Sequence, residues 1–112
     1  MMGLHRGDIC LVNFNPAKNG EIGKLRPAIV LSSALDNEIL DTVIVVPLST
    51  MIEKNALPYR LFLHAREKLH KDCDVCIYEI RALSKSRVKE YLARVSDDEL
   101  ETIQHSLCEI LK

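Results

Sequence analysis

The sequence predicts a small, mainly β protein that ends in one helix, and three observations carry that prediction. Runs rich in β-branched residues alternate with turn punctuation over most of the chain. Ser96-Asp-Asp-Glu99 then forms a capping box, and Leu100, Ile103, Leu107 and Ile110 follow it at helical spacing. A length of 112 residues suits one domain, 1–112, built round one core.

Ile9 to Phe14 reads as the first strand. It ends at Asn15-Pro16, and two further glycines before Lys24 mark a long, mobile loop rather than a tight hairpin. Pro27 to Ser32 and Thr42 to Leu48 are nearly continuous apolar runs, which suit strands buried on both sides or at an oligomer interface; Pro47 then has to occupy a strand end or edge. Tyr59 to His64 alternates, with Tyr59, Leu61 and Leu63 on one face and Arg60, Phe62 and His64 on the other. Asp74 to Leu83 is a further strand, Ser84 to Arg87 a turn or short helix, and Val88 to Val95 fits either strand or helix. Five or six short strands with a terminal helix give a strongly bent sheet or partly open barrel.

Charge narrows the function. With 15 Lys+Arg against 16 Asp+Glu the net charge is −1, so the chain does not grip nucleic acid over its whole surface, and any such activity belongs to a local cleft. No apolar run reaches the roughly 18–20 residues of a membrane span, and Met1 to Arg6 lacks a signal-peptide core, so the expected setting is cytoplasmic with no membrane partner. The four cysteines, Cys10, Cys73, Cys76 and Cys108, are expected in the core as small hydrophobes.

Most familiar chemistry is then eliminated. Cys73 and Cys76, with His70 before them, have zinc-knuckle spacing, but on a strand residues three apart face opposite ways and lie roughly 10 Å apart. His5, His64, His70 and His105 are scattered and accompany no nucleophile motif. Asp97, Asp98 and Glu99 belong to the helix cap, and Asp72 and Asp74 to a turn before a strand, which leaves no two-metal carboxylate cluster. Gly20-Glu-Ile-Gly23 has neither the spacing nor the context of a phosphate loop.

What remains is Arg26, where the long loop enters a buried strand, and Ser49-Thr50, where the next apolar strand ends. Antiparallel pairing of those strands brings both to one edge of the sheet. A guanidinium suits phosphate because its planar fork donates two parallel hydrogen bonds and keeps its charge at any working pH. The bland alternative is a surface arginine beside an ordinary strand end.

At these residues the sequence resembles the MazF/PemK family of toxin endoribonucleases from bacterial toxin–antitoxin systems. The resemblance runs through Arg6-Gly7-Asp8-Ile9, Asn15-Pro16, Glu21-Ile22-Gly23-Lys24, Arg26-Pro27-Ala28-Ile29-Val30-Leu31, Val45-Val46-Pro47-Leu48-Ser49 and Ile80-Arg81-Ala82-Leu83-Ser84 into the last helix. It implies an SH3-like small barrel of the MazF/CcdB/Kid type, a homodimer, and ribosome-independent, metal-independent cleavage of single-stranded RNA to a 2′,3′-cyclic phosphate and a 5′-hydroxyl, with no cofactor. The family's catalytic arginine falls on Arg26 and its catalytic threonine on Ser49, with Thr50 beside it. Asn15, Lys18, Asn19, Glu21, Lys24, Thr50, Glu79 and Arg81 are the implied RNA-binding residues. Two departures stand out: Glu79 replaces the usual glutamine, and Tyr78 occupies a position that is acidic in some members. The implied partner is an antitoxin whose acidic disordered segment displaces RNA. The rival readings are a gyrase-poisoning binder of the CcdB kind and a catalytically impaired RNA binder.

Overall fold

The computed structural model describes residues 3–15, 24–54 and 56–112. Seven strands and two helices follow in the order β1 (Asp8–Asn13), β2 (Leu25–Val30), α1 (Ala34–Ile39), β3 (Thr42–Ser49), β4 (Arg60–Leu63), β5 (Cys73–Cys76), β6 (Arg81–Ser84), β7 (Val88–Arg94) and α2 (Asp97–Ile110). All pairings are antiparallel, in the order β4-β5-β3-β2-β1-β7, with β6 also on β3. The connection between β4 and β5 reaches across to the other outer strand, where the Lys68 N–H donates to the Leu92 carbonyl of β7 at 3.0 Å.

β3 organises this sheet. On one edge its residues Val45 to Pro47 pair with β2; on the other, Thr42 to Val45 pair with β6 and then Leu48 and Ser49 with β5. Ile44 turns its carbonyl to the Leu31 N–H and its own N–H to Ser32 Oγ, on the β2 side. Backbone groups alternate along a strand, so Pro47 presents its missing N–H to the opposite edge, at the break between β6 and β5. The expected edge position of Pro47 is thus a local edge inside a buried strand, where no donor is needed.

Alternation also divides the core. Ile9, Ile29, Val46, Leu48, Leu63, Val75 and Ile103 belong to a cluster against which Leu100, Leu107 and Ile110 of α2 pack. On the other face of β1, β2 and β3 lie Cys10, Val12, Phe14, Ala28, Val30, Val43 and Val45. The α2 start has the expected reciprocal cap: the Glu99 N–H donates to Ser96 Oγ at 3.1 Å, and the Ser96 N–H to Glu99 Oε1 at 2.7 Å. Arg66 adds a bidentate pair to the same carboxylate, at 2.5 and 2.8 Å.

Five expectations need correction or refinement. Residues 34–39 form a helix that the sequence reading left unassigned; Ser33 caps it by accepting from the Asp36 N–H. The single strand expected over Asp74 to Leu83 is two, divided by a 3₁₀ turn at Ile77–Glu79 as the chain steps from the lower to the upper half of the β3 edge. Asp74 is a buried strand residue, as the strand reading from Asp74 has it and against its grouping with Asp72 in a turn. Cys108 is exposed, because it lies one residue off the apolar stripe of α2, whereas Cys10, Cys73 and Cys76 are buried as expected. Val88 to Arg94 resolves as strand.

Two outcomes follow from these contacts. Burial, reinforced by Asp8, pushes the Cys10 thiol up to about 12, and burial pushes Cys76 up to about 11. A thiol reagent should therefore modify Cys108 rapidly in native protein and the other three only after unfolding, as mass spectrometry of a timed reaction would report. The hydrogen bond from Arg66 holds the Glu99 carboxyl below its ordinary range, against the effect of burial. A depressed folded value stabilises the fold above the ordinary glutamate range and loses that contribution as pH falls through it. Glu99→Gln should cost about 1–2 kcal/mol at pH 7 and flatten the acid limb of a pH–stability curve measured by urea unfolding.

Candidate functional site

Strand parity places the two candidate catalytic side chains. Arg26 pairs with Val12 across β1–β2 and lies two and four residues before Ala28 and Val30, so it shares their face and extends the second apolar face towards the sheet end. The β2–β3 pairing runs to Ala28↔Pro47; continued two residues farther, it sets Arg26 level with Ser49 on that same face. Both side chains are half-buried. Across the other edge of β3, Ser49 pairs with Asp74, which in turn pairs with Phe62. Two paired runs therefore meet at this end of the sheet, Val12 with Arg26 on β1–β2 and Ser49, Asp74 and Phe62 on β3, β5 and β4.

The Ser49 hydroxyl is held by its own turn. Its Oγ accepts the Met51 N–H at 3.1 Å, which leaves the hydroxyl proton available to donate. Thr50 lies just beyond the strand and is exposed.

The segment after Ser49 folds over Asp74. Arg60 Nη1 donates to the Met51 carbonyl at 2.8 Å and to Asp74 Oδ2 at 3.2 Å, and the Glu53 N–H donates to the same oxygen at 2.7 Å. Burial disfavours the Arg60 charge, but the hydrogen bond to Asp74 and nearby carboxylates outweigh it and hold the guanidinium above its ordinary value.

The other predicted residues are held by contacts of their own. Arg81 pairs with Val45, and its guanidinium carbon stands 5.9 Å from the centre of the Phe14 ring. Asn15 and Lys24 close the base of the long loop: the Lys24 N–H donates to Asn15 Oδ1 at 2.6 Å, and the Phe14 N–H to the Lys24 carbonyl at 2.9 Å. Lys24 takes a left-handed φ of 64° at this junction. Arg87 Nη1 donates to the Asn13 carbonyl at 3.1 Å and also to the Asn15 carbonyl, tying the loop base to the chain after β6. Glu79 is exposed on the 3₁₀ turn, next to the exposed Tyr78 ring, which meets Tyr59 edge-on at 5.9 Å. Lys18, Asn19 and Glu21 lie outside the described residues.

Sequence reasoning missed Arg60, Asp74 and Arg87. The alternation of 59–64 did place Arg60 on the face away from Leu61 and Leu63, but no spacing rule joins it to a carboxylate fourteen residues on. Among the described residues, no group of three or more His, Cys, Asp or Glu could hold a metal ion.

Residues 5–111 match the family described as PemK-like, MazF-like toxin of type II toxin-antitoxin system. The chain belongs to this family. It is 30% identical over 105 residues to Endoribonuclease MazF of Staphylococcus saprophyticus, covering 93% of this chain and 88% of that protein. The crystal structure of MazF from Deinococcus radiodurans superposes with a TM-score of 0.83 at 26% identity, covering 99% of this chain and 98% of that one. A MazE-MazF crystal structure from the same organism superposes at 0.77 with 25% identity, covering 96% and 95%. The mainly antiparallel, barrel-like sheet with a C-terminal helix is therefore the fold of MazF-like toxins.

In this toxin, replacing Arg60 alone strands the Asp74 carboxylate in a buried site. Arg60→Met should cost about 3 kcal/mol or more, whereas Arg60→Met with Asp74→Leu should return close to parent stability, since paired removal leaves no buried charge. Thermal unfolding of the three proteins side by side measures the difference.

Proposed function

We propose that this chain is a sequence-specific endoribonuclease toxin that cleaves single-stranded RNA without metal and without the ribosome. The observation that supports this reading is strand parity, which puts Arg26 of β2 and Ser49 of β3 on the same face of neighbouring strands. In the proposed reaction the substrate's own 2′-oxygen attacks the adjacent phosphorus in line, losing its proton to the surroundings. The bond from phosphorus to the 5′-oxygen breaks as the new bond forms. A 2′,3′-cyclic phosphate remains on one fragment, and the departing oxygen takes up a proton to become a 5′-hydroxyl. Arg26 neutralises charge gathering on the phosphoryl oxygens, and the Ser49 hydroxyl donates to one of them and orients it. DNA is spared because it lacks the attacking group.

Ser49 is favoured over Thr50 because strand parity puts it on the Arg26 face. Arg81 supplies a second guanidinium beside Phe14, and Asn15, Lys18, Asn19, Glu21, Lys24, Thr50 and Glu79 complete the proposed RNA contacts round the loop and turn. Splayed single-stranded bases expose the edges that such residues read. The active form is taken to be a cytoplasmic homodimer, and a cognate antitoxin with an acidic disordered segment is its natural inhibitor. Relatives solved with an antitoxin support that partner.

The test is cleavage of a long RNA in EDTA with mapping of the new 5′ ends. Defined cuts in RNA, and none in DNA of the same sequence, support the reading; intact RNA overturns it. Arg26→Ala, still folded, should lose about 10²–10³ in rate, the worth of roughly 3–4 kcal/mol for one preorganised donor. With three or four phosphates contacted, log affinity for a non-cleavable RNA should fall against log salt with a slope of about −2 to −3.

A further inference from the structure

Among the described residues, Asp74 Oδ1 is a buried side-chain oxygen without a hydrogen-bond partner, on a residue only 1% exposed. A carboxylate oxygen in that state costs stability, which directs attention to what the rest of the group holds. Being buried, it is sealed from RNA and acts on neighbours instead.

Those neighbours form one continuous path to the candidate site. Asp74 Oδ2 accepts from Arg60 Nη1 and from the Glu53 N–H. The same Arg60 nitrogen donates to the Met51 carbonyl, and the Met51 N–H donates to Ser49 Oγ. Residues 51 and 53 belong to no strand or helix, so no ladder fixes their backbone. The ion pair does so from beneath: Asp74 on β5 and Arg60 on β4 are rigid supports on neighbouring, paired strands.

We propose that Asp74 and Arg60 are positioning residues for the Ser49 hydroxyl, acting through the backbone of Met51 to Glu53; this rests on the nuclease function proposed for the site. Without the ion pair the Met51 amide wanders, and the Ser49 oxygen loses the bond that selects its rotamer. Displacement of a catalytic donor by about 1 Å can cost up to 10² in rate. A purely structural ion pair would change stability alone.

The experiment uses the purified full chain, an RNA oligonucleotide containing the mapped cleavage site, and EDTA throughout. The proteins are parent, Asp74→Asn, Ser49→Ala, Ser49→Ala with Asp74→Asn, and the paired Arg60→Met, Asp74→Leu variant as a second break in the path should Asp74→Asn fold poorly. Asp74→Asn or the paired variant should lower kcat about tenfold while KM stays within about twofold. In the Ser49→Ala background, Asp74→Asn should cost nothing further, because both changes remove the same oriented hydroxyl. Hydrogen exchange of the Met51 amide, which needs no RNA, should quicken about tenfold or more in either variant. Parent-like kcat in a folded variant, an undiminished loss in the Ser49→Ala background, or unchanged Met51 exchange each overturns the positioning role. A parent chain that leaves RNA intact overturns the nuclease function instead, and Met51 exchange still reports whether the path holds.

Discussion

One strand with different partners on its two edges sets the geometry of this protein. β3 is paired to β2 along one side, while the other side is shared in sequence by β6 and β5. A strand continuously paired on both sides needs every donor. Here the interruption falls where Pro47 has none to offer, so the sheet can turn from one partner to the next without orphaning an amide. The step in the sheet and the level at which Ser49 and Asp74 stand both follow from that change of partner.

Much of this was legible in the residues. The apolar runs round Ile29 and Val45, the alternation of 59–64 and the Ser96–Glu99 cap gave strands and helix where they occur, because each signal is local and depends on period or capping chemistry. Helix α1 was not legible: its six residues expose Leu35 and Ile39, which breaks the amphipathic rule, and it is anchored instead by buried Asn37, which bonds to Ser32 and to the Leu4 carbonyl. The strand over 74–83 was overextended since a 3₁₀ turn of three residues leaves no period to detect.

The site divides the same way. Arg26 and Ser49 stood out because each lies where a loop meets an apolar strand. Asp74 stood at the boundary between a turn and a strand in the sequence, and only the fold reveals Arg60 beside it and the chain wrapped over both. Net charge does not report where charges lie, because several are tied up in pairs such as Arg60 with Asp74 and Arg66 with Glu99. Arg26 and Arg81 share one face of the sheet, while Asp97, Asp98 and Glu99 sit in the first turn of α2.

β1 pairs with β7, and the Arg94 guanidinium meets the Asp8 carboxylate at 2.7 Å across 86 residues of chain. Order of synthesis and order of assembly therefore diverge. At about 5–20 residues per second, one edge of β1 waits roughly 4–17 s on the ribosome for the strand that covers it. During that interval Cys10 and Val12 sit on a bare strand edge, a template for wrong pairing. Closure comes only when the last strand has emerged, so an interrupted translation product lacks a wall of the barrel and the helix that packs on it.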